Sequence, residues 1–283
     1  MTTTLLIDAD VLAYQSAFTA QANIQWKEDL WTVHTDLAIA KTWIIDRLET
    51  FKQRMKADDF ILAISDKNNF RRKLNSEYKA NRRSKFAPIG LDPIRDWLAE
   101  EYGTVIYPNL EADDVLAILA TERPNRKDKR IIVSIDKDFK SVPCAFYDFN
   151  RGELHETTEE QADRYHLIQT LAGDPVDGYK GVPKIGVKSA EKLLDAHGAT
   201  WDTVLNAYTK VGMTEQDALM NAWMAYLIRK DEYNNKHKQI KYLWMPSCFD
   251  EKQKRKYSHL IHQVTGDLDE DLSRQKPFDP IRF

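Results

Sequence analysis

With 283 residues, 42% of them hydrophobic and 30% charged, the chain suits one large globular domain or one domain with a smaller companion, and it shows no collagen-like, disordered or repeat signature. Its two cysteines, Cys144 and Cys248, give no disulfide framework. Residues 1–10 lack the basic and apolar regions of a secretory signal, and no apolar run nears the roughly 20 residues of a membrane span, so a cytoplasmic protein is expected. The net charge of −3 hides an asymmetry, because residues 67–85 hold eight Lys or Arg against the single acid Glu77, and overall charge therefore says little about the partner.

Residues 4–7 form an apolar run ending at Asp8, and runs over 60–65 and 131–135 end in the same way at Asp66 and Asp136. Such runs read as fully buried parallel strands. A helix is expected over 11–20. Ile24-Gln25-Trp26 and Trp31-Thr32-Val33 then flank a polar Lys27-Glu28-Asp29, which predicts a small hairpin. Asp36 can cap a long helix whose Leu37, Ile44, Leu48, Phe51 and Met55 fall on one face and are assigned to the core. The basic segment 67–85 is a loop-rich excursion closed by the breaker 87–90. Asp92 as N-cap and Pro93 at the first helical position start the next helix. A strand over 104–107 precedes a helix over 111–121 whose first turn carries Glu111, Asp113 and Asp114, where acids complement the helix dipole. Residues 145–156 predict a hairpin turning at Asn150-Arg151-Gly152 on the sheet edge.

From residue 158 onwards the pattern is helical and the strands stop. The predicted organisation is an α/β part with a mostly parallel central sheet over 1–157, including a basic gateway at 67–92. An α-helical part covers 158–248 and a charged tail 249–283. Residues 181–190 form a Gly-bounded turn entering a helix that Gly198 ends, and a Thr214-capped helix running to about residue 230 buries Leu219, Trp223, Tyr226 and Leu227. The turn offers backbone N–H groups at a helix N-terminus, with Lys184 and Lys188 adding charge, which makes it a candidate phosphate clamp.

Nine carboxylates recur at fixed stations: Asp8, Asp66, Glu111, Asp113, Asp114, Asp136, Asp138, Asp174 and Asp177. In an open α/β sheet the carboxyl ends of the strands face one crevice, so acids distant in sequence would converge there. Like charges brought together call for divalent cations, and oxygen donors without His or Cys favour Mg²⁺ or Mn²⁺ over Zn²⁺. An acidic pocket beside a basic strip suits a metal-dependent enzyme acting on a polyanion. Asp10 is an additional acid at the first station.

The motifs resemble the flap endonuclease and 5′ nuclease superfamily, and within it the 5′→3′ exonucleases of short-tailed phages. Residues 7–14, beginning Ile7-Asp8-Ala9-Asp10, are similar to its first acidic block. Asp66, followed by Phe70-Arg71 and Tyr78-Lys79-Ala80-Asn81-Arg82, is similar to its second acid and basic gateway. Leu110-Glu111-Ala112-Asp113-Asp114, Asp136-Lys137-Asp138-Phe139 and Gly173-Asp174-Pro175-Val176-Asp177-Gly178 follow in family order. Residues 181–190 resemble the helix–three-turn–helix that holds duplex, with Gly181, Lys184, Gly186, Lys188 and Ser189 as its contacts. The resemblance implies hydrolysis at two Mg²⁺ ions, replaceable by Mn²⁺. Glu111, Asp113 and Asp136 would face one ion, with Asp8 and Asp66 acting through water, and Asp138, Asp174 and Asp177 would face the other, while Asp114 supports them. It further implies Lys79 and Arg82 as catalytic phosphate contacts, Tyr14, Arg71 and Tyr78 on the nucleic acid, and a monovalent cation at the turn.

The implied substrate is double-stranded DNA with 5′ ends, with RNA in an RNA–DNA hybrid as a second one. The tail segment 277–283 is a candidate contact for a replication partner. Pro183-Lys184 departs from the family, which usually has a residue and then a glycine there, and the excursion from Lys79 to Asp92 is short for a threading arch. A flap endonuclease is the alternative within this class. A single-strand endoribonuclease would need no duplex clamp, and a non-catalytic DNA-binding protein with a decayed site would have lost acids that are all present.

Overall fold

The structure, a computed structural model, describes residues 2–82, 87–122 and 128–265. In chain order the first half carries β1 (Thr2–Asp8), α1 (Ala9–Thr19), β2 (Gln21–Lys27), β3 (Leu30–Thr35), α2 (Leu37–Met55), β4 (Asp59–Ala63) and α3 (Phe70–Leu74). It continues with α4 (Leu91–Tyr102), β5 (Thr104–Val105), α5 (Ala112–Thr121), β6 (Asp128–Ser134), β7 (Ala145–Asp148) and β8 (Glu153–Glu156). The second half holds α6 (Glu159–Ala172), β9 (Gly173–Asp174), β10 (Tyr179–Lys180), α7 (Val187–His197), α8 (Trp201–Thr209) and α9 (Glu215–Ala225). Then come β11 (Tyr233–Asn234), β12 (Gln239–Ile240), α10 (Glu251–Lys256) and α11 (Ser258–Thr265).

The buried apolar runs become parallel strands of a six-stranded sheet in the order β5-β4-β1-β6-β7-β8, with β8 antiparallel at the edge. Side chains alternate across it. Leu5, Ile7 and Val133 pack under α1, α2 and α4 on Leu12, Ile44, Leu48 and Leu98. Leu6 and Ile132 face α5 and α6, and their cluster runs on without a break to Leu194, Leu219 and Trp223 of the helical part.

Register sets the position of the site. Asp8 lies beside Ala63 of β4, and Ile7 beside Val133 of β6, so three strands end level with one another. The chain moves from β1 outward to β4 and β5, then crosses to β6 on the other side of β1. That reversal opens the crevice at the strand ends where doubly wound sheets bind ligands.

Some boundaries differ from expectation. Helix α4 starts at Leu91 with Gly90 as its cap, so Asp92 and Pro93 sit inside the first turn, where Pro is tolerated because those N–H groups have no helical partner. The strand expected over 104–107 is only Thr104–Val105. Leu37 is exposed, whereas Ile44, Leu48 and Phe51 of the same stripe are buried. Strands do not cease after residue 158, since β9 pairs with β10 and β11 with β12 as two-residue ribbons. Helix α9 ends at Ala225 rather than near residue 230, because Arg71 takes the carbonyls of Met224 and Tyr226 and Asp114 takes the N–H of Ile228, which holds the chain extended there.

Candidate active site

Three of the acids stand at the starts of helical turns: Asp8 before α1, Glu111 before α5 and Asp136 before a 3₁₀ turn. Asp8 ends β1 and accepts from the Val11 N–H at 3.1 Å, while its other oxygen accepts from Ser134 Oγ at 2.9 Å. Asp10, one step along α1, accepts from the Ser65 N–H at 2.8 Å and pairs with Arg95 at 3.0 Å. Glu111 caps α5 with Asp113 in its first turn, and Asp136 caps the 3₁₀ turn Lys137–Ser141 by accepting from the Asp138 N–H at 2.9 Å. Negative charge at a helix N-terminus is favoured, which helps these acids tolerate one another. Asp8, Asp10, Glu111, Asp113 and Asp136, with Tyr14, Ser65 and Lys79, line an open cavity of about 450 Å³.

Asp174 and Asp177 sit on a loop whose tightness requires glycine. A Cβ at Gly173, at φ +66°, would meet the Gly181 nitrogen at 2.0 Å, and one at Gly178, at φ +84°, would meet the Glu77 carbonyl oxygen at 2.4 Å. The loop therefore presses on the gateway, where the Lys79 N–H donates to the Asp177 carbonyl at 2.8 Å. Lys79 Nζ lies 2.6 Å from Glu111 and 3.7 Å from Asp177, between the cavity acids and this second group. Asp138 receives the Gln169 Nε2–H of α6 at 2.7 Å, and Lys137 reaches Asp174 at 3.4 Å.

The charge is unevenly compensated. Burial, reinforced by Asp10 and Asp136, pushes Asp8 up to about 7. Burial and Asp136 push Asp138 up to about 8, and burial with Asp8 and Asp136 raises Asp113. Glu111 goes the other way: against the cost of its burial, Lys79 and Arg71 pull it down to about 2. Oxygen donors with surplus negative charge fit a hard divalent cation in both charge and donor type. Among the described residues no three acids, His or Cys close tightly enough to enclose an ion as they stand, an arrangement consistent with carboxylates that repel one another.

Four expected site residues lie elsewhere. Asp114 and Arg71, 0% and 1% exposed, form a two-pronged ion pair at 2.7 and 2.8 Å. Arg71 therefore cannot contact nucleic acid, nor Asp114 a metal in the cavity; together they tie α3 and α5 to the segment after α9. Tyr78 is also buried, and its hydroxyl donates to Glu111 at 2.8 Å, so it supports an acid rather than meeting a substrate. Asp66 accepts from the Asn109 N–H at 2.8 Å and lines a neighbouring hollow with Asp92, Arg95 and Asp96. The Arg82 side chain and residues 277–283 lie outside the described residues.

Tyr14 is 48% exposed beside the cavity. In the turn, Lys184, Gly186, Lys188 and Ser189 are exposed, while Gly181 is pressed against the Leu171 carbonyl at 2.2 Å from its Cβ position. The Ile185 N–H donates to the Val182 carbonyl across Pro183 and Lys184, and Lys184 takes φ +67°. The lysine thus adopts the left-handed conformation that a glycine would supply.

Sequence reasoning passed over Ser65, Ser134 and Gln169. Ser65 stands just before Asp66 and Ser134 two residues before Asp136, a placement that could have flagged them. Gln169 had only the weak signal of an amide among apolar helix positions. Among the cavities described, the largest, about 760 Å³, lies between α7 and α8. Asp202 is the only carboxylate in its lining, so the concentration of acids rather than size marks the site.

Comparison with known proteins places the chain in a family. Residues 3–162 match the family model for the 5′-3′ exonuclease, N-terminal resolvase-like domain. The chain belongs to the 5′-3′ exonuclease family. This exonuclease is 33% identical over 281 residues to the exodeoxyribonuclease of Enterobacteria phage T3, covering 86% of this chain and 92% of that one. It is likewise 33% identical to the exonuclease of Escherichia phage T7, covering 86% and 93%. It is thus an exonuclease of the phage T7 and T3 type. The fold is that of the phage T5 flap endonuclease, solved as a pseudo-enzyme–product complex with DNA and metal ions, at 15% identity and TM-score 0.61 over 80% of this chain and 89% of that one. The phage T5 5′-exonuclease has also been solved with divalent zinc bound, at 15% identity and TM-score 0.58, covering 79% of this chain and 89% of that one. No described helix is long and apolar enough to cross a membrane.

Proposed function

We propose that the exonuclease hydrolyses phosphodiester bonds from the 5′ ends of double-stranded DNA with two divalent cations, Mg²⁺ or Mn²⁺. The observation that carries this reading is the surplus of buried and half-buried carboxylates in two groups, one on each side of Lys79. Asp8, Asp10, Glu111, Asp113 and Asp136 would hold one ion, and Asp138, Asp174 and Asp177 the other. Bound there, the ions supply an activated water and stabilise the leaving oxygen.

The chain's own groups do the positioning. Lys79 donates from the cavity wall to an oxygen of the scissile phosphate, offsetting charge that develops in the transition state, and Arg82 is assigned the same role. Tyr14 stacks on the terminal base. Asp66 fixes the Asn109 turn that leads into Glu111. Lys184, Lys188 and the N–H groups opening α7 hold the intact duplex. Only residues 83–90 separate the 3₁₀ turn ending at Arg82 from α4, too few for two long helices around a threaded strand. A gateway of that length admits a blunt or recessed end. Opening the terminal base pair costs a few kcal/mol.

The test is a time course with Mg²⁺ on 5′-labelled blunt duplex, matched 5′ flap and RNA–DNA hybrid. Mononucleotides or very short products from blunt duplex are expected. Resistance of blunt duplex with one cut at the flap junction replaces exonuclease by flap endonuclease. Undiminished hydrolysis in excess EDTA removes the cations from the mechanism.

A further inference from the structure

Helix α6 carries an amide whose hydrogen bonding is half complete. Gln169 is 6% exposed, and its Nε2–H donates to Asp138 Oδ1 at 2.7 Å. Its Oε1 is buried with no donor among the described residues. With Asp138 ionised, as a cation ligand is, the bond fixes which end of the amide is which, since a carboxylate only accepts and cannot satisfy the amide oxygen. The charged groups around Asp138 are Asp136, Asp174, Asp177 and Lys137, and the Lys137 ammonium is engaged with Asp174 at 3.4 Å. An unpaired buried acceptor costs about 1–3 kcal/mol. No water reaches it in this arrangement, so its donor has to arrive with the cation, and water held by a hard cation beside Asp138 is a strong donor.

We infer that Gln169 is a positioning residue for the cation held by Asp138, Asp174 and Asp177: its N–H steadies Asp138 and its Oε1 accepts from water on that ion. The inference rests on the two-cation reading above and extends it to a residue outside the carboxylate set. His166, one turn earlier on the same side of α6, binds the Ala222 carbonyl instead, so the contact with Asp138 belongs to Gln169 alone of these two.

The experiment measures Mn²⁺ binding to the full chain by electron paramagnetic resonance without DNA, in the wild type, Gln169→Met and Asp138→Asn. Gln169→Met should bind Mn²⁺ about tenfold or more weakly. Its Mg²⁺ requirement for hydrolysis should rise by the same factor, turnover at saturating Mg²⁺ should return close to wild type, and metal-free duplex binding should be unchanged. A second measurement needs no variant: the Gln169 side-chain amide resonance of the wild type should shift with Mg²⁺ and broaden with Mn²⁺. Wild-type Mn²⁺ affinity in Gln169→Met, with binding impaired in Asp138→Asn, overturns the role of Gln169 and leaves the two-cation reading standing. A wild type that binds no Mn²⁺ overturns both. If Gln169→Met does not fold, the amide resonance decides, and a resonance unmoved by Mg²⁺ overturns the inference.

Discussion

In the cleft, Asp8, Glu111 and Lys79 are buried or nearly so, and each is held by groups from other elements; in the proposed duplex clamp, Lys184, Lys188 and Ser189 stand exposed on a turn and the helix it opens. Both regions meet phosphate in the proposed function, yet the cleft arranges its charges before substrate arrives, whereas the clamp presents charge to solvent. Buried charge is costly to disturb, and exposed charge mainly exchanges one set of counterions for another. Substitutions in the cleft should therefore register in turnover or folding, and those in the clamp in binding and its salt dependence.

The largest effect expected from this contrast is that of Asp136→Asn, which should lower turnover roughly a hundred- to a thousandfold with duplex affinity nearly intact, as measured by single-turnover cleavage and by binding without metal. Near-normal turnover would remove Asp136 from the site. Next comes Arg71→Ala, which strands Asp114 in the interior and should cost about 3–5 kcal/mol in denaturant unfolding. Because Arg71 is buried, the salt slope of duplex binding by the folded variant should not change; a lower slope would return Arg71 to the DNA surface. Lys184→Ala with Lys188→Ala should reverse that pattern, lowering the slope of log affinity against log salt by about 2 with little loss of stability.

A smaller effect is expected where α6 joins the two regions. Burial holds His166 down to about 4, against 6.5 for the free group, so the unfolded chain takes up its proton first as pH falls. The stability His166 contributes is complete above 6.5 and drains between 6.5 and 4. Glu232, pushed up to about 7 by burial, acts in the opposite sense, because its folded form keeps the proton and stability is lost as pH rises from 4.5 through 7. The stability difference between wild type and His166→Gln should isolate the histidine, tilting against the wild type below pH 6.5; a pH-independent difference would place a charged imidazole in the core. The smallest effect is that of Lys184→Gly. It should relieve the left-handed strain and add about half to one kcal/mol to stability while lowering the salt slope by about 1, thereby separating the residue's two roles.

The strand ends and the acids that follow them were legible in the sequence because strand, turn and cap are local patterns: Asp8, Glu111 and Asp136 each close an apolar run or open a helix. Their partners were not. Arg71 belongs to a run of basic residues that reads as a solvated strip, and only tertiary packing sends its side chain inward to Asp114 while Arg72 and Lys73 remain outside. Tyr78 and Gln169 were hidden for the same reason, since the groups they touch lie 33 and 31 residues away. The end of α9 was misplaced because its final turn is undone by Arg71 and Asp114, far away in the chain. The clamp was legible as a turn, but the left-handed backbone at Lys184 had no local signal, because lysine does not advertise that conformation.

The double duty of Asp8, Glu111 and Asp136, each in the cleft and each a cap, constrains how this molecule can change over generations. Replacing a cap by alanine costs about 1 kcal/mol of helix stability before any chemistry is considered. A lineage released from the need to cut DNA would still be selected to keep these carboxylates, or to exchange them for asparagine or serine, because the fold begins its helices on them. Inactive descendants should then be recognisable by amides and hydroxyls at these positions rather than by random replacement, and intact acids in a distant relative would be weaker evidence of activity than they look.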